Sequence, residues 1–183
     1  MPQLGWAIDL KRCTGCETCT LACKSENNTA MGTNYREVAF IEGGSYPNPT
    51  RQFVTMSCNH CTDPACMKSC PVGAITKEDT TTGHGIVLID QDKCIGCKYC
   101  VFACPYGAPR FNHRTKKVEK CTFCKHRIEA GLKPACETSC VGRAIRHVAD
   151  FPSSDSGKNA PSGFADHRLT NPNTRFTHEG DEV

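Results

Sequence analysis

Aromatic side chains are scarce in this chain: 7% of its residues are Phe, Trp or Tyr, with a single tryptophan. Mean hydropathy is −0.44. The apolar inventory is thin for 183 residues, so something besides side-chain packing is expected to help hold the fold. Long apolar runs are missing too. The longest aliphatic stretch is IVLI at 86–89, far short of the ~20 residues that cross a bilayer, and no direct membrane span is expected. The opening MPQLGWAIDL has neither a basic start nor a long apolar region, and no two arginines adjoin. Read that way, the chain has no secretory or twin-arginine signal of its own, and either stays in the cytoplasm or leaves attached to a signal-bearing partner. Nor is there a large excess of one charge, the formal net charge being +3. The basic stretch RFNHRTKKVEKCTFCKHR at 110–127 has no aromatic stacking motif beside it. It reads as solvated or partner-facing surface, with no nucleic-acid partner. No nucleophile–base arrangement, carboxylate pair or phosphate-cradling loop stands out, so no catalytic residue is assigned and the chain is read as non-catalytic.

Cysteine is what the chain has in excess. Its 16 cysteines fall into four groups of four: Cys13, Cys16, Cys19 and Cys23; Cys58, Cys61, Cys66 and Cys70; Cys94, Cys97, Cys100 and Cys104; and Cys121, Cys124, Cys136 and Cys140. Groups one and three are copies of one unit, since IDLKRCTGCETCTLAC (8–23) and IDQDKCIGCKYCVFAC (89–104) align without gaps. Groups two and four are copies of another, PACMKSCPVGAI (64–75) and PACETSCVGRAI (134–145). The order A–B–A–B is that of a doubled two-motif unit. WAIDL and GIVLID read as strands leading into groups one and three, and GAITKEDTTTGHGIVLID as a β-hairpin. TLACKSEN and VFACPYG begin as helical turns. The fold class expected is α+β, small and loop-rich.

Spacing selects the cofactor. Disulfide scaffolds do not repeat C-x2-C-x2-C-x3-C. No C-x-x-C pair is followed by His, as c-type haem would need. A tetrahedral zinc site has no place for a third cysteine two residues on. A [4Fe–4S] cubane needs one thiolate per iron; a loop wraps three corners when cysteines recur every third residue, and the fourth cysteine serves a neighbouring cluster. Gly15 and Gly96 let the backbone come close to the cluster, and Pro71 and Pro105 turn the chain away after the last cysteine. Sixteen thiolates make four such clusters with none left over. Metal binding then supplies folding free energy that the thin core lacks. The swap of fourth ligands makes the groups work in pairs. Spacing leaves two layouts open: nested, groups two and three inside groups one and four, or tandem, one with two and three with four.

RCTGCETCTLAC, SCNHCTDPACMKSCPVGAI, CIGCKYCVFACPYGAP and KCTFCKHRIEAGLKPACETSC resemble the four motifs of the iron–sulfur subunits of complex iron–sulfur molybdoenzymes, those of dimethyl sulfoxide, polysulfide, thiosulfate and tetrathionate reductases being the most similar. The resemblance covers roughly residues 5–148. It implies a double bacterial-ferredoxin-like fold and nested pairing. Cys13, Cys16 and Cys19 would share a cluster with Cys140, and Cys121, Cys124 and Cys136 another with Cys23. Cys58, Cys61 and Cys66 would pair with Cys104, and Cys94, Cys97 and Cys100 with Cys70. Relatives with Trp at one group-three cysteine hold a [3Fe–4S] cluster, whereas Cys100 is intact here. Cys23 and Cys140 lack the following proline. The resemblance further implies single-electron transfer in anaerobic respiration. The partners would be a molybdenum or tungsten bis-pyranopterin catalytic subunit and, often, an integral membrane anchor that exchanges electrons with quinol. Localisation would be at a membrane through partners, periplasmic by co-export or on the cytoplasmic face. The alternatives are the equivalent subunit of a hydrogenase or formate dehydrogenase, and a free soluble polyferredoxin.

On this reading residues 1–57 and 105–149 form an outer ferredoxin-like unit and 58–104 an inner one. Residues 150–183, rich in Pro, Ser, Asn and Gly, form an extended C-terminal tail expected to order against a partner. Segment 24–57 is expected to be a strand pair covering the clusters, with Tyr35 and Phe40 in the core. His60 is read as a packing or hydrogen-bonding residue and Trp6 as core or interface.

Overall fold

The computed structural model describes residues 3–80 and 83–177. Every regular element is short. The strands are β1 (Gly5–Asp9), β2 (Arg36–Ser45), β3 (Asn48–Ser57), β4 (Ile75–Thr80), β5 (Gly83–Ile89), β6 (Arg110–Asn112), β7 (Lys117–Glu119), β8 (Ile145–Val148) and β9 (Thr174–Thr177). The helices are α1 (Thr18–Asn27), α2 (Ala65–Lys68), α3 (Tyr99–Ala103), α4 (Lys125–Glu129) and α5 (Ala135–Thr138). No described helix is long and apolar enough to cross a membrane. The chain is therefore a small mixed α/β protein with few helices.

The internal repeat reappears as two equivalent strand pairs. In the hairpin β4–β5, Ile75 faces Ile89; in β1–β8, Ile8 faces Ile145 in the same antiparallel register. Those isoleucines are the matched ends of the two repeated motifs. Even the bond beyond the pair recurs, Asp90 N–H donating to the Ala74 carbonyl and Asp9 N–H to that of Ala144, both at 2.8 Å. After each strand the aspartate turns the chain: Asp9 Oδ1 accepts from the amides of Lys11 and Arg12, and Asp90 Oδ1 from those of Asp92 and Lys93.

Two apolar clusters sit beneath these pairs. The larger contains Leu4, Trp6, Ile8, Leu10, Val54, Ile86, Phe123, Ile145 and Phe176, with Trp6 stacked on Phe123 at 4.1 Å between centroids. The smaller has Ile75, Val87 and Val118 packed with Cys66 and Cys100. Trp6 is a core residue, as expected. The strand pair expected in 24–57 is the long ribbon β2–β3, paired from Arg36↔Ser57 to Ser45↔Asn48. Tyr35 packs against the core. Phe40 does not: it is 53% exposed and meets Phe53 edge-on, because it shares the face of buried Arg36 and of Val38 but lies further along the ribbon, where β2 runs past the core.

The C-terminal segment packs against its own chain. β9 adds to β1 in parallel, Trp6 opposite Thr174 and Ile8 opposite Phe176, so that β1 is the middle strand of β8-β1-β9. Phe151 and Phe176 are buried. Arg175 pairs with Asp155 at 2.5 Å, and Ser156 Oγ donates to the Pro172 carbonyl. The remaining residues, 178–183, lie outside the described part.

The basic stretch 110–127 divides between surface and interior. Arg110 reaches Glu37, Arg127 and His126 reach Glu26, and Lys125 reaches Glu78. Lys120 is buried, its ammonium donating to the carbonyls of Val87 and Cys121. Its burial depends on strands distant in sequence.

Candidate metal centres

The cysteine loops are wound by residues with positive φ. Gly15 and Gly96 have φ of 71° and 70°, and Glu17 and Lys98, just before α1 and α3, have 56° and 66°. A Cβ on Gly15 would strike the Phe53 ring, and one on Gly96 the Lys116 carbonyl. Glycine is thus required by the left-handed turn and by the ring or carbonyl packed over it. α1 then sets Cys19 and Cys23 one turn apart, and α3 leads from Cys100 to Cys104, so consecutive cysteines of one run point into neighbouring sites.

One cavity is lined by Cys58, Cys61, Cys66 and Cys104, together with Asn59, Lys120 and Thr170. A second is lined by Cys70, Cys94, Cys97 and Cys100. At the other end of the repeat, the charges bearing on Cys13 come from Cys19, Cys140 and Cys16. Those on Cys121 come from Cys23, Cys58 and Cys124, with the Arg36 cation opposing them. Cys136 feels Arg36, Cys124 and Cys19. Across groups, Cys58 also bears on Cys121, and Cys100 on Cys66. Sulfurs of groups one and four are thus brought near one another, as are those of groups two and three. Cys16 and Cys97, at equivalent places in groups one and three, are exposed, and no other cysteine is.

These sites fit a group larger than one ion. All sixteen cysteines are free thiols. Among the described residues no three or more His, Cys, Asp or Glu side chains converge on a single-ion position, whereas thiolates around tetrahedral zinc stand ~3.8 Å apart. Donors already point at the sulfurs. Amides of His60, Ala74, Phe123 and Ala144 donate to Cys58, Cys70, Cys121 and Cys140 at 3.5, 3.3, 3.3 and 3.2 Å. Others have nothing to donate to: Asn59 Nδ2 and His60 Nε2 are buried without a partner. The Asn59 amide is held by Thr174 Oγ1, which donates to its Oδ1 at 2.9 Å. His60 Nδ1 accepts from the Val87 amide at 3.0 Å, which leaves the proton on Nε2. An orphaned donor lining a four-thiol cavity suits an inorganic group with acceptor sulfides.

Several of the buried thiols resist ionisation. Burial pushes Cys23, Cys61 and Cys66 up to about 12 and Cys100 up to about 11. Exposed Cys16 goes the other way, lowered by the Thr18 hydroxyl hydrogen-bonded to its sulfur. Metal loading must therefore displace protons from buried thiols, with the metal's charge replacing the solvation that burial removed.

Similarity to known proteins decides the family. The 4Fe-4S dicluster domain family matches residues 50–150. One chain of the anaerobic dimethyl sulfoxide reductase of Escherichia coli (strain K12) is 42% identical over 151 residues, covering 78% of this chain and 72% of that one. The chain belongs to the 4Fe-4S iron–sulfur subunits of dimethyl sulfoxide reductase type. A tetrathionate reductase subunit of Salmonella typhimurium is 46% identical over 147 residues, 79% of this chain and 56% of its own. A selenate reductase subunit of Mesobacillus selenatarsenatis is 37% identical over 205 residues, 93% and 66% of the two chains. Members of this family are electron-transfer iron–sulfur subunits, and 4Fe–4S clusters are their cofactor.

Some residues of the sites were not singled out by the sequence. Asn59 lies inside the CNHC motif, where only His60 drew attention. Lys120 was hidden in a basic run, Arg36 in a polar-looking strand, and Thr170 in the tail. A polar residue adjoining a ligand cysteine is a signal for Asn59 and Lys120. Arg36 and Thr170 carry no local signal.

Proposed function

We propose that the chain holds four [4Fe–4S] clusters in nested pairs and relays single electrons between a molybdenum or tungsten bis-pyranopterin catalytic subunit and a second redox partner, without turning over a substrate itself. The ligand sets are Cys13, Cys16, Cys19 and Cys140; Cys23, Cys121, Cys124 and Cys136; Cys58, Cys61, Cys66 and Cys104; and Cys70, Cys94, Cys97 and Cys100. The architecture is then a double ferredoxin, with residues 58–104 as the inner unit and 1–57 with 105–149 as the outer. One observation carries the reading: each of two cavities is lined by three cysteines of one run and the fourth of another, groups two and three exchanging their last thiol.

When bound, the clusters supply one-electron redox chemistry. The polypeptide's part is to fix and insulate them. Cys19 and Cys23 on α1 hold two neighbouring sites a helical turn apart. Trp6 and Phe123 fill the space beneath the outer pair and exclude water. Thr170 and Asn171 cover the inner loop, their carbonyls accepting from the amides of Asp63 and Thr62. Exposed Cys16 and Cys97 mark the two ends where electrons enter and leave. Exposed apolar side chains follow in sequence at each end, Leu21 after Cys16 and Ile95, Tyr99 and Phe102 around Cys97, with Phe102 83% exposed. Such patches suit docked partners, the catalytic subunit at one and an integral membrane anchor at the other. The assembly would then sit at a membrane through that anchor, on the periplasmic side after co-export or on the cytoplasmic face.

Purification of the assembled complex tests the reading. About sixteen irons per chain, matching acid-labile sulfide and molybdenum or tungsten in a co-purifying subunit are expected. A partner containing nickel would favour the hydrogenase alternative, and a colourless assembled protein would refute the clusters altogether.

A further inference from the structure

We propose that Arg36 is the shared countercharge of the two outer clusters, a positioning residue that sets their potentials together. This rests on the nested four-cluster reading. Arg36 opens β2 and is 2% exposed. Its register partner is Ser57, and its guanidinium donates from Nη2 to Ser57 Oγ at 2.8 Å and from Nη1 to Thr55 Oγ1 at 3.0 Å. One face lies over the Trp6 ring, 4.8 Å from its centroid. No carboxylate pairs with it among the described residues, and hydroxyls and an indole carry no net charge.

A buried, unpaired guanidinium is costly, and Arg does not escape by losing its proton. The groups that would turn negative around it on loading are sulfurs from both outer sets, Cys136, Cys121 and Cys23 from one and Cys19 from the other. The Trp6 ring under the guanidinium stacks on Phe123, whose amide donates to Cys121 Sγ at 3.3 Å, while Cys19 Sγ stands 3.4 Å from the Thr55 hydroxyl that Arg36 Nη1 also holds. Without clusters those sulfurs are neutral thiols. With clusters they are thiolates, and the guanidinium becomes the cation between them. A fixed positive charge favours the more negative, reduced state of each cluster and so raises both potentials. The inner unit's buried cation, Lys120, lies at the Cys58/Cys61/Cys66/Cys104 cavity, whereas Arg36 reaches that side only through His60, on which its charge also bears, so the effect of Arg36 is largest on the outer pair.

The test is a redox titration of the assembled complex followed by low-temperature EPR, with the four signals assigned by Cys→Ser substitution. A wild-type complex with about sixteen irons and four signals secures the cluster reading on its own, so failure there is distinct from failure here. Arg36→Gln is expected to lower the potentials of both outer clusters and to move the inner two much less, with Arg36→Lys restoring them toward wild type. Unmoved outer potentials, or an equal shift of all four, overturn the proposal. If Arg36→Gln assembles without the outer clusters, Arg36→Lys decides. Recovery of both outer signals supports a role for the charge, and their continued absence overturns it in favour of shape alone.

Discussion

The two halves of the internal repeat solve one problem with different means. In the inner half, Ile75 and Ile89 meet within a single hairpin. In the outer half, the equivalent Ile8 and Ile145 come from opposite ends of the chain. The outer closure spans a loop roughly tenfold longer, which costs about 2 kcal/mol more in chain entropy. The packing differs accordingly. The inner pair rests on Val87 and Val118 among cysteines, while the outer pair has Trp6, Phe123 and a third strand bearing Phe176. Full burial of one phenylalanine contributes about 1.5–3 kcal/mol, enough to offset the longer loop. The same motif is thus stabilised locally in one half and by distant aromatic contacts in the other.

The largest expected effect breaks that compensation. Removing residues 170–177 strips β9 from β1 and the Thr170–Thr174 bonds from the loop at 59–63. Stability should fall by several kcal/mol, about 3–5 from Phe176 and its cavity alone, and iron should be lost first from the Cys58/Cys61/Cys66/Cys104 site. Denaturant midpoints and iron counts on the purified complex check both.

Trp6→Ala should follow, destabilising by about 3–5 kcal/mol through the cavity left in the larger core, with the outer EPR signals affected before the inner ones, which lose only the indole's bond to the Cys58 carbonyl. Loss of inner and outer signals in parallel would show that the halves do not fold as separable units. A finer contrast comes from the two equivalent glycines. Gly15→Ala and Gly96→Ala both place a side chain at positive φ, costing about 1 kcal/mol or more. Gly96→Ala also meets the Lys116 carbonyl, which is backbone, where Gly15→Ala meets the ring of Phe53. The Gly96 variant should therefore be the less stable of the two by urea unfolding. The smallest effects belong to Ile75→Val and Ile145→Val, about 0.5–1.5 kcal/mol each. The outer substitution should affect only the outer signals.

Sequence reading reached the parts that repeat. The strands leading into groups one and three, the hairpin and the helical turns were legible in local patterns, the repeat in two gapless alignments, and the family in four ordered cysteine motifs, but the pairing of β8 with β1 was not read. It could not reach contacts that depend on chain segments far apart. Parallel pairing of β9 with β1 joins residues about 168 positions apart, Trp6 and Thr174, and no local pattern announces it. The tail's Pro, Ser and Asn content looked like a segment awaiting a partner. Its polar side chains instead bond to the inner loop, Asn173 Nδ2 donating to the His60 carbonyl and Thr62 Oγ1 to Asn173 Oδ1. Arg36 and Lys120 were missed because charged residues are read as surface by default, and their burial follows from sulfurs and carbonyls brought in by folding. Phe40 was misplaced for the converse reason, since the ribbon has already run past the core where Phe40 meets Phe53.

The exchange of fourth ligands within nested pairs is most directly tested by EPR of single Cys→Ser variants in the assembled complex. Cys140→Ser and Cys16→Ser should alter one and the same signal, and Cys70→Ser and Cys97→Ser a different one. If Cys70→Ser instead alters the signal that Cys16→Ser alters, the layout is tandem and the nested account is wrong.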